Sequence, residues 1–361
     1  VRFGDRVLGS MLAGAVGDAL GAPIEFLLID SIRRDHGPDG LTDLSEEYGG
    51  RGTITDDTQM TLFTLEALIR LSAAQRLGSG LAFVPAMQHA YQRWYHTQGP
   101  PWERAGGVFA TGPRPDGWLI TNRGLFSARS PGATVMTALK GFAAGTPSGT
   151  PRHRLNDSKG CGAVMRAAPI ALCSNDSAVV FDLAVDSGAL THSHPSGYLS
   201  AGAFAVIMRC LYDGGELRDA VAEARGQLTR WPDHEETDAA LVAALKVADR
   251  GRPTPEVLNE KVGRGWVGEE ALAVAVCAAL VAEDLRDGLL LSVNHSGDSD
   301  STGAVCGNLL GAIHGPDAIP PAWLAELELR DVTERITLDA LAELSTNPPS
   351  TVDWYDRYPP T

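Results

Sequence analysis

Residues 7–20 read VLGSMLAGAVGDAL, and their spacing decides the fold class. Val7, Leu8, Met11, Leu12, Ala15, Val16, Ala19 and Leu20 recur at i, i+1, i+4 and i+5, which is one face of a helix. Gly9, Gly14 and Gly17 lie inside the same segment. Small residues at helical spacing let a second helix approach closely, which suits a compact helical core. The same period runs through 60–71, 201–211, 239–247, 271–285 and 305–313. Alternating apolar and polar runs bounded by turn residues, the mark of strands, are scarce. The predicted class is all-α.

Composition narrows the function. Hydrophobic residues make up 44% and charged residues 21%, a globular balance. Acids number 45 against 30 Lys and Arg, for a formal charge of −15. Such a surface repels phosphate backbones and anionic lipid, so general nucleic-acid binding and membrane docking are disfavoured. Five cysteines, Cys161, Cys173, Cys210, Cys277 and Cys306, are odd in number and widely spread, the usage of free thiols in a reducing compartment. The apolar run 271–282 is shorter than the roughly 20 residues that span a bilayer. The first residues carry charge and small side chains, more like a domain helix than a cleaved signal. A cytoplasmic monomer is expected.

At about 150 residues per domain, 361 residues suggest two domains, yet a helical enzyme of this size can form one. No composition shift or internal repeat marks a boundary. One domain over 1–361 is therefore expected, with a peripheral tail from about residue 331. Two segments, 99–132 and 145–162, lack a helical period; loops this long are functional or disordered, and these are expected to line a mouth.

Two short acidic clusters carry the chemical signal. Thr55-Asp56-Asp57-Thr58 precedes one periodic segment, and Asp298-Ser299-Asp300-Ser301-Thr302 precedes another. Either alone reads as a helix N-cap. Together they offer four carboxylates with flanking hydroxyls. If all four met at about 5 Å, each of six pairs would repel by roughly 3 kcal/mol at an effective dielectric near 20. That exceeds a typical net stability of about 5–15 kcal/mol, so such a site needs cations or strongly raised pKa values. Oxygen donors select Mg²⁺ or Mn²⁺ over zinc, and two ions sharing a carboxylate would account for the number of ligands.

Other candidates are weaker on their residues alone. Asn156-Asp157-Ser158-Lys159-Gly160-Cys161-Gly162 is glycine-rich and precedes a helical MRAAPIAL run; it matches no phosphate-loop pattern and reads as a turn, or as amides for a diphosphate with Ser158 and Lys159 as added donors. His192 and His194 form an H-x-H pair, a buried hydrogen-bonded histidine or a zinc site without a nearby cysteine. His295 precedes the second acidic cluster and is placed to orient it. Asp18 reads as helix packing through a hydrogen bond as readily as catalysis, and is left outside the site. Tyr91, Trp94, Tyr95 and Trp102 read as core.

Five strings occur in order: GSMLAGAVGDALGAPIEF, TDDTQMTL, GCGAVMRAAPIAL, THSHPSGYLSAGA and NHSGDSDSTGAVCGNLLGAIHG. Over roughly residues 5–315 the chain resembles the ADP-ribosylglycohydrolase family. The resemblance implies a compact all-helical fold holding two Mg²⁺ or Mn²⁺ ions. It implies Thr55, Asp56, Asp57, Asp298, Asp300 and Ser301 as metal ligands, with Asp300 bridging. The family's second motif usually reads GDTDT; Ser301 keeps the hydroxyl. Glu25 matches a glutamate near the metals, and Glu25, Asp56 or Asp57 is the implied proton acceptor. Ser158, Lys159, Gly160, Cys161 and Gly162 match the block that binds the diphosphate of ADP-ribose, and His192 a residue of the distal-ribose pocket. The implied activity is hydrolysis of the C1″ bond joining ADP-ribose to a protein side chain or related conjugate. A non-catalytic ADP-ribose-binding descendant, or a hydrolase of free ADP-ribosyl metabolites, remains the alternative.

Overall fold

The computed structural model describes residues 1–361. In chain order its helices are α1 (Phe3–Gly21), α2 (Ile29–His36), α3 (Asp56–Arg76), α4 (Phe83–Thr97), α5 (Trp102–Ala105), α6 (Ala133–Ala143), α7 (Ser177–Ala189), α8 (Pro195–Tyr212) and α9 (Leu217–Leu228). They continue as α10 (Glu235–Ala248), α11 (Pro255–Lys261), α12 (Gly268–Val281), α13 (Leu285–Val293), α14 (Ser299–His314), α15 (Pro321–Glu326), α16 (Arg330–Glu343) and α17 (Val352–Arg357). The sole sheet is a pair of two-residue strands, Glu46–Glu47 and Gly50–Arg51. The architecture is all-α.

Helix α1 makes its main packing contact along α14. A Cβ on Gly17 would sit 2.0 Å from the Gly303 carbonyl oxygen, and one on Gly303 would sit 2.3 Å from that of Gly17. Neither distance is compatible with a side chain, so the two backbones meet only because both positions are glycine. This approach sets the end of α1 beside the start of α14. Helix α1 is also long and apolar enough to cross a membrane, which corrects the sequence-based view that no segment is; 89% of that window is buried inside the fold.

The periodic segments fold as helices, with two differences. The run 271–285 is not one helix: α12 stops at Val281, Ala282 is extended, and Asp284 caps α13 by accepting the amide of Asp287 at 2.8 Å. A local cap therefore ends an apolar run whose period would otherwise continue. The residues after 331 are not a peripheral tail. Helix α16 packs on α1 and α3, and Ile336, Trp354 and Tyr358 join the contiguous hydrophobic cluster that starts at Val7. Tyr358 donates to Asp339 Oδ2 at 2.7 Å and Trp354 Nε1 to Glu343 Oε2 at 2.9 Å, so the polar ends of these rings are satisfied within the segment. Tyr91, Trp94, Tyr95 and Trp102 are buried in the core.

Candidate active site

Three chain segments converge on a cleft of about 450 Å³. Glu25 follows α1, Asp56 and Asp57 open α3, and Asp298, Asp300 and Ser301 open α14. Both acidic clusters cap helices as well as lining the cleft. Thr55 Oγ1 accepts the Asp57 amide at 3.4 Å, and Asp298 Oδ1 accepts the Ser301 amide at 3.3 Å. Asp298 therefore both caps its helix and lines the cleft, whereas Thr55 caps α3 from just outside it.

Asp18, on α1, holds the first cluster in place. Its carboxylate is fully buried and accepts the amides of Thr55 and Thr58 at 3.0 and 3.1 Å. It also accepts both hydroxyls, Thr55 Oγ1 at 2.8 Å and Thr58 Oγ1 at 2.5 Å. With its proton committed to Asp18, Thr55 Oγ1 is left with its lone pairs as its remaining capacity. Packing through hydrogen bonds is thus the correct reading of Asp18, and what it packs is the site.

The tightest group of donors is Glu25, Asp298 and Asp300, each offering a carboxylate oxygen within 4.8 Å of the others. Asp56 Oδ2 accepts the Gly132 amide at 3.3 Å. Buried Glu25 Oε2 and Asp57 Oδ1 have no hydrogen-bond partner. Burial, then the charges of Asp298 and Asp56, pushes Glu25 up to about 9. Burial also lifts Asp56, Asp57 and Asp300 well above the usual carboxylate range, with Asp18, Asp56 and Asp57 respectively as the next cause. Asp18 is raised to about 6 by burial, against the hydrogen bonds it accepts. No lysine or arginine lines the cleft. A buried set of oxygen donors with orphaned atoms and no countercharge fits hard divalent cations, and a zinc site of the H-x-H type is not formed.

Gly160, Cys161, Gly162 and His192 also line the cleft; Thr55, Ser158 and Lys159 do not. Ser158 Oγ is engaged with Thr134 Oγ1 at 2.9 Å and the Gly160 amide at 3.3 Å. Lys159 departs from its expected role as a phosphate donor. Its ammonium pairs with Glu236 and, at 2.8 Å, with Glu269. The backbone explains this: Gly160 bridges Val267 and the Gly268 amide donates to Lys159 O at 2.8 Å, which turns the lysine towards α10 and α12. The MRAAPIAL run forms two 3₁₀ segments, Val164–Arg166 and Ala168–Leu172, rather than an α-helix, with Pro169 in the first turn of the second.

His192 Nδ1 bonds Thr191 Oγ1 at 2.8 Å, and burial pushes its pKa down to about 3, so the ring is neutral. His194 instead caps α8 through the Ser196 amide. His295 Nε2 meets Thr302 Oγ1, at the end of the second acidic cluster, at 2.8 Å. Sequence reasoning missed several lining residues. The end of the 99–132 loop, Ser130 to Gly132, lines the cleft as that loop was expected to, and Ala133, Thr134 and Val135 at the start of α6, which were not expected, extend the wall. Phe26 and Trp266 stack at the cleft, ring centroids 5.8 Å apart and planes 19° from parallel. Trp266 lies outside the acidic clusters and the 156–162 block, in the glycine-rich stretch Gly263-Arg264-Gly265-Trp266-Val267-Gly268, which the sequence reading did not single out.

The chain is 27% identical over 353 residues to the ADP-ribosyl-[dinitrogen reductase] glycohydrolase of Rhodospirillum rubrum, covering 94% of this chain and 97% of the relative. It is 24% identical to an ADP-ribosylarginine hydrolase of Pseudomonas putida, covering 90% and 74% respectively. A solved ADP-ribosylglycohydrolase-related protein complex superposes with a TM-score of 0.66 at 27% identity, over 96% of this chain and 99% of that one. A model of the ADP-ribosylglycohydrolase family matches residues 1–350, and the chain belongs to that family.

Proposed function

We propose that this protein is a hydrolase that uses two Mg²⁺ or Mn²⁺ ions and cleaves the C1″ N- or O-glycosidic bond of ADP-ribosylated side chains, releasing ADP-ribose. One observation carries the reading: buried carboxylates from three segments share a cleft lined by no lysine or arginine, and two of their oxygens lack any partner. Family membership supports glycohydrolase activity on ADP-ribosyl substrates.

Asp56, Asp57, Asp298, Asp300, Ser301 and Thr55 would hold the ions. When bound, such ions polarise coordinated hydroxyls and lower the pKa of coordinated water. The chain's own groups do the rest. The carboxylates stabilise the positive charge that develops on the sugar during glycosidic cleavage. Glu25 Oε2, free of partners, is the proposed proton acceptor. Its raised pKa is that of the cation-free protein, and neighbouring dications would bring it back down. Neutral His192 has Nε2 free to bond a ribose hydroxyl, and Gly160 to Gly162 admit the substrate close to the backbone.

The alternative of a non-catalytic binder has no observation in its favour here, since all four aspartates reach one cleft. The test is release of ADP-ribose from arginine-linked peptide, serine-linked peptide and free ADP-ribosyl metabolites, with and without Mg²⁺ or Mn²⁺. Turnover of the metabolites alone would reassign the substrate class; turnover of none would support the binder.

A further inference from the structure

Cys161 is a free thiol, and of the five cysteines it alone lines the cleft. Its Sγ lies 2.9 Å from Asp298 Oδ2 and 3.4 Å from Ser301 Oγ. One sulfur thus meets two oxygens that lie 137 and 140 positions away in the chain. The same cleft carries two further oxygens with nothing to bind, Asp57 Oδ1 and Glu25 Oε2, on residues only 3% and 7% exposed.

We propose that Cys161, Asp298 and Ser301 form a binding site for a thiophilic divalent cation, Zn²⁺ or Cd²⁺, within the cleft. The donor chemistry favours it. A thiolate is a soft ligand that selects Zn²⁺-class ions, whereas carboxylate and hydroxyl serve hard and borderline ions alike. Without an ion the thiol donates to Asp298 Oδ2. When a thiophilic dication binds, the S–H proton leaves to solvent as the sulfur–cation bond forms. The thiol is neither oxidised nor reduced.

An ion held this way occupies oxygens of Asp298 and Ser301, so it competes with any hard cation using them. The site therefore discriminates by displacement: a soft ion removes the protein from its hard-ion form. The proposal needs the three side chains and not the hydrolytic reading.

The experiment titrates the full-length, metal-free protein with Cd²⁺ and follows the ultraviolet sulfur-to-cadmium charge-transfer band. The parent should show the band, and Cys161→Ser and Cys161→Ala should lose it, with Cd²⁺ affinity falling at least about tenfold. In the parent, Cd²⁺ should also slow alkylation of Cys161, mapped by peptide mass, and leave Cys173 and Cys210 unchanged. No band, a band undiminished in both variants, or unchanged Cys161 alkylation overturns the site. If the variants fold poorly by circular dichroism, alkylation of the parent decides. Mn²⁺ titration of the same protein separates the two readings. A cadmium band without Mn²⁺ binding sinks the hydrolytic proposal alone, and Mn²⁺ binding without the band sinks this one alone.

Discussion

Asp18 Oδ1 accepts the hydroxyl of Thr55 at 2.8 Å, joining two residues 37 positions apart on different segments. Four donors in all end on this one carboxylate. Asp18→Asn places an amide against hydroxyls and backbone N–H groups that themselves donate, leaving buried donors unsatisfied. Stability should fall by about 1–3 kcal/mol. Metal affinity should fall by about tenfold to a hundredfold, as for other residues that orient ligands. Denaturant melts and calorimetric metal titration read the two effects separately. Unchanged metal affinity would show that Asp18 supports α3 without arranging the site.

Asp18 also marks how far the sequence can be read. Helical period was legible because burial of one face leaves its signature within a dozen residues, as at 7–20. The acidic clusters were legible for the same reason: their chemistry is local. The partners of Asp18 and Lys159 were not. Lys159 meets Glu236 and Glu269, 77 and 110 positions away, and nothing in a glycine-rich turn tells which acid its ammonium will reach. The packing of Trp354 and Tyr358 was hidden because short helices among prolines carry little period. At Asp284 a single capping side chain overrode an apolar pattern that continued through it.

Chelation should abolish ADP-ribose release, and Mg²⁺ or Mn²⁺ should restore it better than Zn²⁺. The donors of the proposed catalytic set are oxygens, which favour hard ions. Zn²⁺ added with Mn²⁺ should inhibit in the parent. Release measured by chromatography after exhaustive chelation tests this, and full turnover by metal-free protein would end the dimetal mechanism.

Asp300→Asn and Glu25→Gln should separate in their effects. A neutral amide cannot replace a carboxylate shared by two cations, so Asp300→Asn should lower metal occupancy. Glu25→Gln should lower turnover by about 10²–10⁴-fold, the range for losing a general base, with a smaller change in metal content. Glu25 lies in the tightest donor group, so the comparison also tests its role. Parallel calorimetry and turnover decide; equal loss of metal in both variants would make Glu25 a ligand first.

In metal-free protein, stability should fall as pH rises through the neutral range, because four raised carboxyl groups outweigh one depressed histidine. Glu25 is raised to about 9, and Asp56, Asp57 and Asp300 are raised as well. A carboxyl group raised in the folded state contributes stability below its unfolded pKa, near 4, and loses it as pH climbs through the folded value. His192 works from the other side. Pushed down to about 3, it contributes stability above its unfolded value near 6.5 and loses it as pH falls towards 3. The metal-free Tm should therefore drop above neutral pH, and Mg²⁺ or Mn²⁺ should remove that drop, because cations hold the carboxylates ionised. Differential scanning fluorimetry from pH 5 to 9 with and without metal is the measurement. A metal-free Tm that climbs steadily to pH 9 would contradict it.

The glycine-rich block gives the sharpest geometric test. A Cβ on Gly162 would lie 2.9 Å from His192 Cε1 and 2.9 Å from Val135 Cγ2. Gly162 is absent from the positive-φ positions, so backbone strain does not enter and the cost is steric. Gly162→Ala must displace the His192 ring or the wall at Val135, and Gly162→Val must displace more. Overpacking of this kind costs about 1–3 kcal/mol of stability. Because both neighbours line the cleft, ADP-ribose affinity should fall in the order parent, Ala, Val while the acidic ligands stay in place. Lys159→Ala is the contrasting variant. Its ammonium is spent on Glu236 and Glu269, so the loss should fall on stability, by up to about 1 kcal/mol, with little change in affinity. Isothermal titration of ADP-ribose into the three variants, beside Mn²⁺ titration and a melt of each, separates the cases. Unchanged affinity in a folded, metal-binding Gly162→Val protein would move the diphosphate away from 158–162 and towards the wall at 130–135.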